Sequence, residues 1–202
     1  MKNKKFKLFA SLTSLVMVVA VMAVGVWAAQ SATVSLSGTI GFNATSAVRA
    51  DIAVSSGDYE GTTLKGSMTD ATVNGGTFTA AQETAAATSA LSLRFTQDSE
   101  NPDVVYDKVI KVVINNNNSN EGISVKIKAG ASAALTNVKA YYSQSEDYTK
   151  GSKELTTTEE TLDAVAAGVD ATTTIWITFD VQDTMQTANV TLDYVITLGI
   201  AA

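Results

Sequence analysis

Alternation with a period of two residues runs through most of this chain and restricts its fold more than any other feature. Val34, Leu36, Ile40 and Phe42 fall on one side of an extended backbone, with Thr33, Ser35, Ser37 and Thr39 on the other. Leu91, Leu93 and Phe95 alternate with Ser92, Arg94 and Thr96, and Ile123, Val125 and Ile127 with Ser124, Lys126 and Lys128. Ile175, Ile177, Phe179 and Val181 form a further set, and Val190, Leu192, Tyr194, Ile196 and Leu198 form the last. Successive side chains of a strand point to opposite faces, so each run lays an apolar face on a core and a polar face toward water. Antiparallel sheets with one solvated side have this pattern. No helical period alternates with the runs, as a parallel α/β fold requires. The expected fold class is all-β: an antiparallel two-sheet β-sandwich of jelly-roll or immunoglobulin-like type, with about ten strands.

The connections carry turn chemistry. Asn74-Gly75 sits between residues expected in strands and accepts the positive φ of a tight hairpin. NNNNSNEG, residues 115–122, reads as a longer connection. The lone proline, Pro102, precedes a long strand over residues 104–114. Two stretches read differently. Residues 79–90, TAAQETAAATSA, are expected as a flexible loop or a short Ala-rich helix. Residues 157–167 offer Thr157 and Glu160 as a capping box, and so a short helix or loop crossing.

Ahead of the strands lies a segment with a different grammar. Residues 1–7, MKNKKFK, are basic, and residues 8–27 are almost unbroken apolar sequence. Val26-Trp27-Ala28 approximates the small-x-small pattern of a signal-peptidase site, with Ala29 next. Residues 1–28 are therefore expected to be a signal-peptide helix and residues 29–202 a single β-sandwich domain, with cutting after Ala29 a near alternative. The rival reading is an uncleaved anchor, since 20 residues at ~1.5 Å each about span a hydrocarbon core. The C-terminal VTLDYVITLGIAA lacks a sorting motif followed by an apolar tail, so no covalent wall attachment is expected. Either way the domain is read as secreted, extracellular or held at the cell surface.

Composition narrows the chemistry. The chain has no cysteine and no histidine, which removes disulfides, thiolate catalysis, the usual zinc ligands and the commonest general base near neutral pH. A hydrophobic core must hold the domain, and about 170 residues suffice to bury roughly two thirds of the unfolded surface. Four of the 14 basic residues, Lys2, Lys4, Lys5 and Lys7, precede the apolar run, so the other 10 face 20 acidic residues. Such a surface repels phosphate backbones and anionic lipid. Nucleic acid is not an expected partner, and membrane contact is expected only through an uncleaved N-terminal segment.

Candidate sites are few. Asp98, Glu100 and Asp103, with Asp107 nearby in QDSENPDVVYD, offer oxygen ligands for calcium at a strand-joining loop. Calcium is the one cofactor considered. No motif orders the acidic residues into a catalytic pair, so no enzymatic activity is expected. Trp176 and Tyr141 fall opposite the apolar faces of their strands. Exposed aromatics there suit a cell-surface glycan or a subunit contact. Lys108 falls in register with Val104, Tyr106, Ile110 and Val112, which raises a buried Lys–Asn crosslink to Asn189 or a lysine that snorkels. Asn43, Asn117 and Asn189 match the glycosylation sequon, a short pattern common by chance.

The leader ending GVWAA, the strand SATVSLSGTIGF directly after it, and LDAVAAGVDATTTIWITFDV near the end together resemble small exported β-proteins of Gram-positive bacteria, of the camelysin and TasA type. The resemblance implies a non-enzymatic biofilm or extracellular-matrix protein that forms homo-oligomers or filaments by strand exchange. In that scheme Val34, Leu36, Ile40 and Phe42 of one subunit fill pockets in a neighbour's sheet. The simpler alternative makes the same residues the first strand of their own sandwich.

Overall fold

The computed structural model describes residues 31–44, 48–55, 57–59, 62–69, 77–80, 85–98, 103–130, 138–146, 153–182 and 188–201. The chain divides into two units, Met1–Ser31 and Ala32–Ala202, and the second carries the fold. The signal-peptide helix and its cleavage residues Ala28 and Ala29 lie outside the described residues.

Among the described residues twelve strands follow one another: β1 (Ser31–Ala44), β2 (Val48–Val54), β3 (Gly57–Tyr59), β4 (Thr62–Thr69), β5 (Thr77–Ala80), β6 (Ala85–Asp98), β7 (Val104–Asn116), β8 (Ile123–Ala129), β9 (Val138–Ser143), β10 (Glu160–Val165), β11 (Thr172–Val181) and β12 (Ala188–Ile200). Seven form one sheet in the order β10-β8-β12-β1-β6-β4-β3, and five form the other in the order β5-β2-β7-β11-β9. Among the described residues there is no helix. The fold is all-β and sandwich-like.

Ten of the eleven connections pass from one sheet to the other, and only the β3–β4 hairpin stays within one. Hydrogen-bonded neighbours are therefore remote in sequence. Residues 70–76, with the hairpin expected at Asn74-Gly75, lie outside the described residues. The strands they join, β4 and β5, belong to different sheets, so they do not pair as a hairpin.

Alternation places the strand faces as expected. Val34, Leu36, Ile40 and Phe42 of β1 and Leu192, Tyr194, Ile196 and Leu198 of β12 are all buried, as are Ile175, Ile177, Phe179 and Val181 of β11. They belong to one continuous core fed by both sheets. Aromatic rings interleave across it, alternately from the two sheets. Tyr59 meets Tyr106 edge-on at 4.9 Å, and Tyr106 meets Phe95 at 4.7 Å. Phe95 in turn lies 5.5 Å from Phe179, and Phe179 6.5 Å from Tyr194. Each such buried side chain contributes on the order of 1.5–3 kcal/mol, which lets a domain without disulfides hold together.

Three expectations are corrected. Residues 85–90 are not loop or helix but the opening of β6, and 77–80 form β5, because ladder pairing to β4 and β2 outweighs the helical preference of alanine. Residues 160–165 likewise form β10 against β8 rather than a capped helix, with Leu162 and Val165 turned into the core. The sheet pattern is also not wholly antiparallel: β1 and β12 run parallel over eleven registered pairs, from Val34↔Ala188 to Ala44↔Leu198. Crossing connections free the first and last strands to meet in either sense.

One side of the sandwich is closed by the segment ahead of β10. Leu155 N–H donates to the Ala140 carbonyl and Tyr142 N–H to the Lys153 carbonyl, so residues 153–155 lie along β9. Ala129 N–H then donates to the Thr156 carbonyl, carrying the chain to the other sheet. Gln144 completes the seam. Its amide accepts from Asp163 N–H at 2.8 Å and donates to the Asp163 carbonyl at 3.0 Å, standing in for a peptide unit where the β10 register shifts. At one end of the sheets, buried Asn116 donates to the carbonyls of Glu121 and Ala166, both at 2.8 Å, and accepts from Asn118 N–H. That one amide fixes the 117–122 connection against the β10–β11 turn.

Tyr194 is fully buried, and its hydroxyl has no hydrogen-bond partner among the described residues. Burial pushes its pKa well above the ordinary tyrosine value. An unfolded tyrosine ionises near pH 10, so the stability gained by keeping Tyr194 neutral is complete below that pH and is lost as pH rises beyond it. Tyr194→Phe removes both the orphan hydroxyl and this alkaline liability. Urea denaturation is expected to show a gain of about 1 kcal/mol at pH 7 and an alkaline unfolding midpoint shifted upward. A loss at both pH values would reveal a hydrogen bond to this hydroxyl.

Candidate functional site

The outer face of the five-stranded sheet brings together Asp107, Lys108, Lys111, Trp176 and Thr178. It is built around an irregularity in β7. Ile110 pairs with Ile177 and Tyr106 with Phe179, so three residues of β7, Asp107, Lys108 and Val109, stand opposite the single residue Thr178. Lys108 takes a left-handed φ of 52° to allow this, a conformation that L side chains adopt at a cost.

One N–H and all three carbonyls of the bulge have partners. Lys108 N–H donates to Thr178 Oγ1 at 3.0 Å, and the Thr178 hydroxyl donates to the Asp107 carboxylate at 2.8 Å. The Asp107 carbonyl accepts from the Tyr59 hydroxyl and the Lys108 carbonyl from the Ser55 hydroxyl, both at 3.3 Å. Ser55 N–H reaches the Val109 carbonyl at 2.7 Å. Burial first, and then the negative charge of Asp107, raise the Tyr59 pKa, which keeps that hydroxyl a donor into the alkaline range.

The bulge turns Lys108 outward, contrary to its expected register. The two extra residues interrupt the alternation only within the bulge, since Tyr106 before it and Ile110 and Val112 after it keep one parity; inside it Val109 is buried, while Lys108 pairs with Asp107 at 3.8 Å. The interruption is legible in the sequence YDKVI: two charged residues followed by two apolar ones cannot both obey a period of two. Asn189 belongs to β12 of the other sheet, paired with Ser35, so the bulge directs the Lys108 amine away from the crosslink considered for it.

Trp176 lies beside this bulge, half-buried, between Lys111 of β7 and Ser143 of β9. Lys111 Nζ sits 4.7 Å from the ring centroid and Lys108 Nζ 6.0 Å, distances at which a cation is attracted to an aromatic face. The 157–167 segment does not cover Trp176 as a helix, since it is spent as β10 in the opposite sheet. Sequence reasoning singled out Trp176 with Thr178 on its own strand, but missed Lys111 and assigned Asp107 to the acidic loop, because register between strands 65 residues apart is not written in either one.

Tyr141 does not share this exposed surface. It is only 6 % exposed, beside Thr178 and Asp180 at 1 % each, so the β9 end of the face is covered and the expected second platform is absent. Alternation assigns a side chain to a face of the sheet but says nothing of what lies over that face. Val34, Leu36, Ile40 and Phe42 are equally inaccessible, turned into the core of their own sheet. Of the calcium candidates, Asp98 ends β6 and Asp103 is exposed just before β7, while Glu100 lies outside the described residues. Among the described residues no three carboxylates gather as a metal site.

These features define the class: an all-β, sandwich-like protein with an aromatic-cationic patch on one outer sheet face. No protein-family model matches the chain, and no curated protein matches its sequence.

Thr178 is the centre of the bulge. Thr178→Val keeps its shape but strands Lys108 N–H and one oxygen of Asp107, so a loss of roughly 1–3 kcal/mol in urea unfolding is expected. A change within error would show that the bulge does not depend on that hydroxyl.

Proposed function

We propose that this is a secreted or cell-surface structural protein of the extracellular matrix, non-enzymatic, that assembles through its N-terminal strand. The observation that carries the reading is the location of β1. The first strand after the apolar leader is central in the larger sheet, between β12 and β6, and the side chains of Val34, Leu36, Ile40, Phe42 and Ala44 are each at most 1 % exposed. A slot that demanding, filled by the segment nearest one chain end, is the kind that the same segment of another copy fits equally well. The sheet edges offer less: β3, β5, β9 and β10 have 3, 4, 6 and 6 residues, against 14 for β1, and short edges discourage lateral pairing. The repeated crossing between sheets favours a jelly-roll-like over an immunoglobulin-like arrangement.

In this reading the leader is removed near Ala28–Ala29, leaving a few residues ahead of β1, and no cofactor is required. A second reading, a module that binds surface glycans, rests on Trp176 and the lysines over it. It is the weaker one because Tyr141 is buried.

Negative-stain microscopy and sizing of the exported form, with and without calcium, test the first reading. Filaments or a ladder of oligomers are expected, and they should vanish in Gly38→Val. A Cβ at Gly38 overlaps the Leu192 carbonyl of the receiving ladder. A strict monomer at high concentration under both conditions contradicts assembly. Glycan binding that survives Trp176→Ala removes the basis of the second reading.

A further inference from the structure

We propose that the β1–β12 pair is the tension-bearing element of this domain, a longitudinal clamp loaded when the two chain ends are pulled apart. Four observations carry it. The pair joins the first and last strands of the chain. It is parallel, and it extends over eleven registered residues, Val34↔Ala188 to Ala44↔Leu198. It also lies inside the sheet, with β8 beyond β12 and β6 beyond β1, so neither strand can be shed as an edge.

The geometry fixes the direction of load. Two parallel strands leave the domain at opposite ends: the chain enters β1 beside Ala188, and β12 continues past the Ala44↔Leu198 pair at the far end. Tension between the two ends slides β1 and β12 past each other along their own axes. The bonds of a parallel ladder are evenly spaced along the strand. They therefore share such a load and yield together, whereas a load across the strands breaks them one after another. At about 3.3 Å per residue the shared length is roughly 35 Å.

The ladder is reinforced where it would slip. Gly38 lets the backbone close onto the Leu192 carbonyl, and at the next pair the Thr39 hydroxyl donates to the Asp193 carboxylate at 2.8 Å. On the opposite face, sliding drags Leu36, Ile40 and Phe42 through the core. Strands β2 to β11 lie between the clamp strands in sequence and carry no tension while the clamp holds. The inference does not depend on assembly, since a monomer contains the same ladder. In a strand-exchanged filament the equivalent ladder would join successive subunits.

The absence of cysteine makes the test clean, because two introduced thiols are the only handles. Single molecules of the full chain carrying Ser31→Cys and Ala201→Cys are pulled in shear. Molecules carrying Asn43→Cys and Ala201→Cys, where Asn43 pairs with Thr197 near the end of the ladder, are pulled in peel. At equal loading rate the shear pair is expected to rupture at a force at least about twofold higher, forced unfolding being governed by the barrier along the pulling direction. Rupture should release the intervening chain in a single step of roughly 60 nm. Equal forces in the two geometries, or chain lengthening in shear before the main rupture, would overturn the proposal. Both arms are read on isolated monomers, so a failure here leaves the assembly reading to be decided by microscopy.

Discussion

The placement of β1 governs the rest of the molecule. A strand at one end of a sheet can be lost with local damage; a strand between β12 and β6 cannot, because both neighbours take half their ladder from it. Its apolar face, Val34 to Ala44, meets the core that the five-stranded sheet closes from the other side. The order of the seven-stranded sheet follows: β12 and β8 are built outward on one side of β1, and β6, β4 and β3 on the other. Because ten of eleven connections cross between the sheets, little of this can form from local contacts. Thr39 and Asp193, which share a hydrogen bond, are separated by 154 positions. Such topologies fold slowly, since loop closure must precede the contacts that reward it.

The five-stranded sheet solves a different problem. Its long central strand β7 must supply an apolar face to the core and still present charge on the outside near Trp176. The bulge at Asp107, Lys108 and Val109 does both by interrupting the alternation locally and then resuming it in the same parity, and Thr178, Ser55 and Tyr59 bond to the Lys108 N–H and to the Lys108 and Asp107 carbonyls. The outcome is an outward lysine that joins Lys111 beside the Trp176 ring. Local strain held by this many hydrogen bonds is the ordinary way for a sheet to re-aim a side chain.

Much of this was legible in the sequence, and the failures are physically instructive. Alternation identified the buried faces of β1, β8, β11 and β12 because a period of two directly encodes which side meets the core. It failed at Lys108, where two extra residues interrupt the alternation locally, and at Tyr141, which is buried although it falls on the outer face of its strand. Residues 79–80, 85–90 and 160–165 misled because alanine and a Thr-x-x-Glu pattern favour helices locally, while membership of β5, β6 and β10 is decided by pairing across the sheets. The parallel meeting of β1 and β12 was invisible, since strand order is a property of crossings and no single segment records it. Trp176 was found, but its cationic neighbours depend on register across β7 and β11.

The central claim is that β1 is an integral strand of the seven-stranded sheet, hydrogen-bonded to β12 on one side and β6 on the other. Native-state hydrogen exchange on the monomeric domain addresses it directly. The account predicts that the hydrogen-bonded amides of residues 34–44 exchange only through global unfolding, with the same free energy and denaturant dependence as those of β12. Exchange of the β1 amides through a smaller opening, while β12 stays protected against β8, would contradict it.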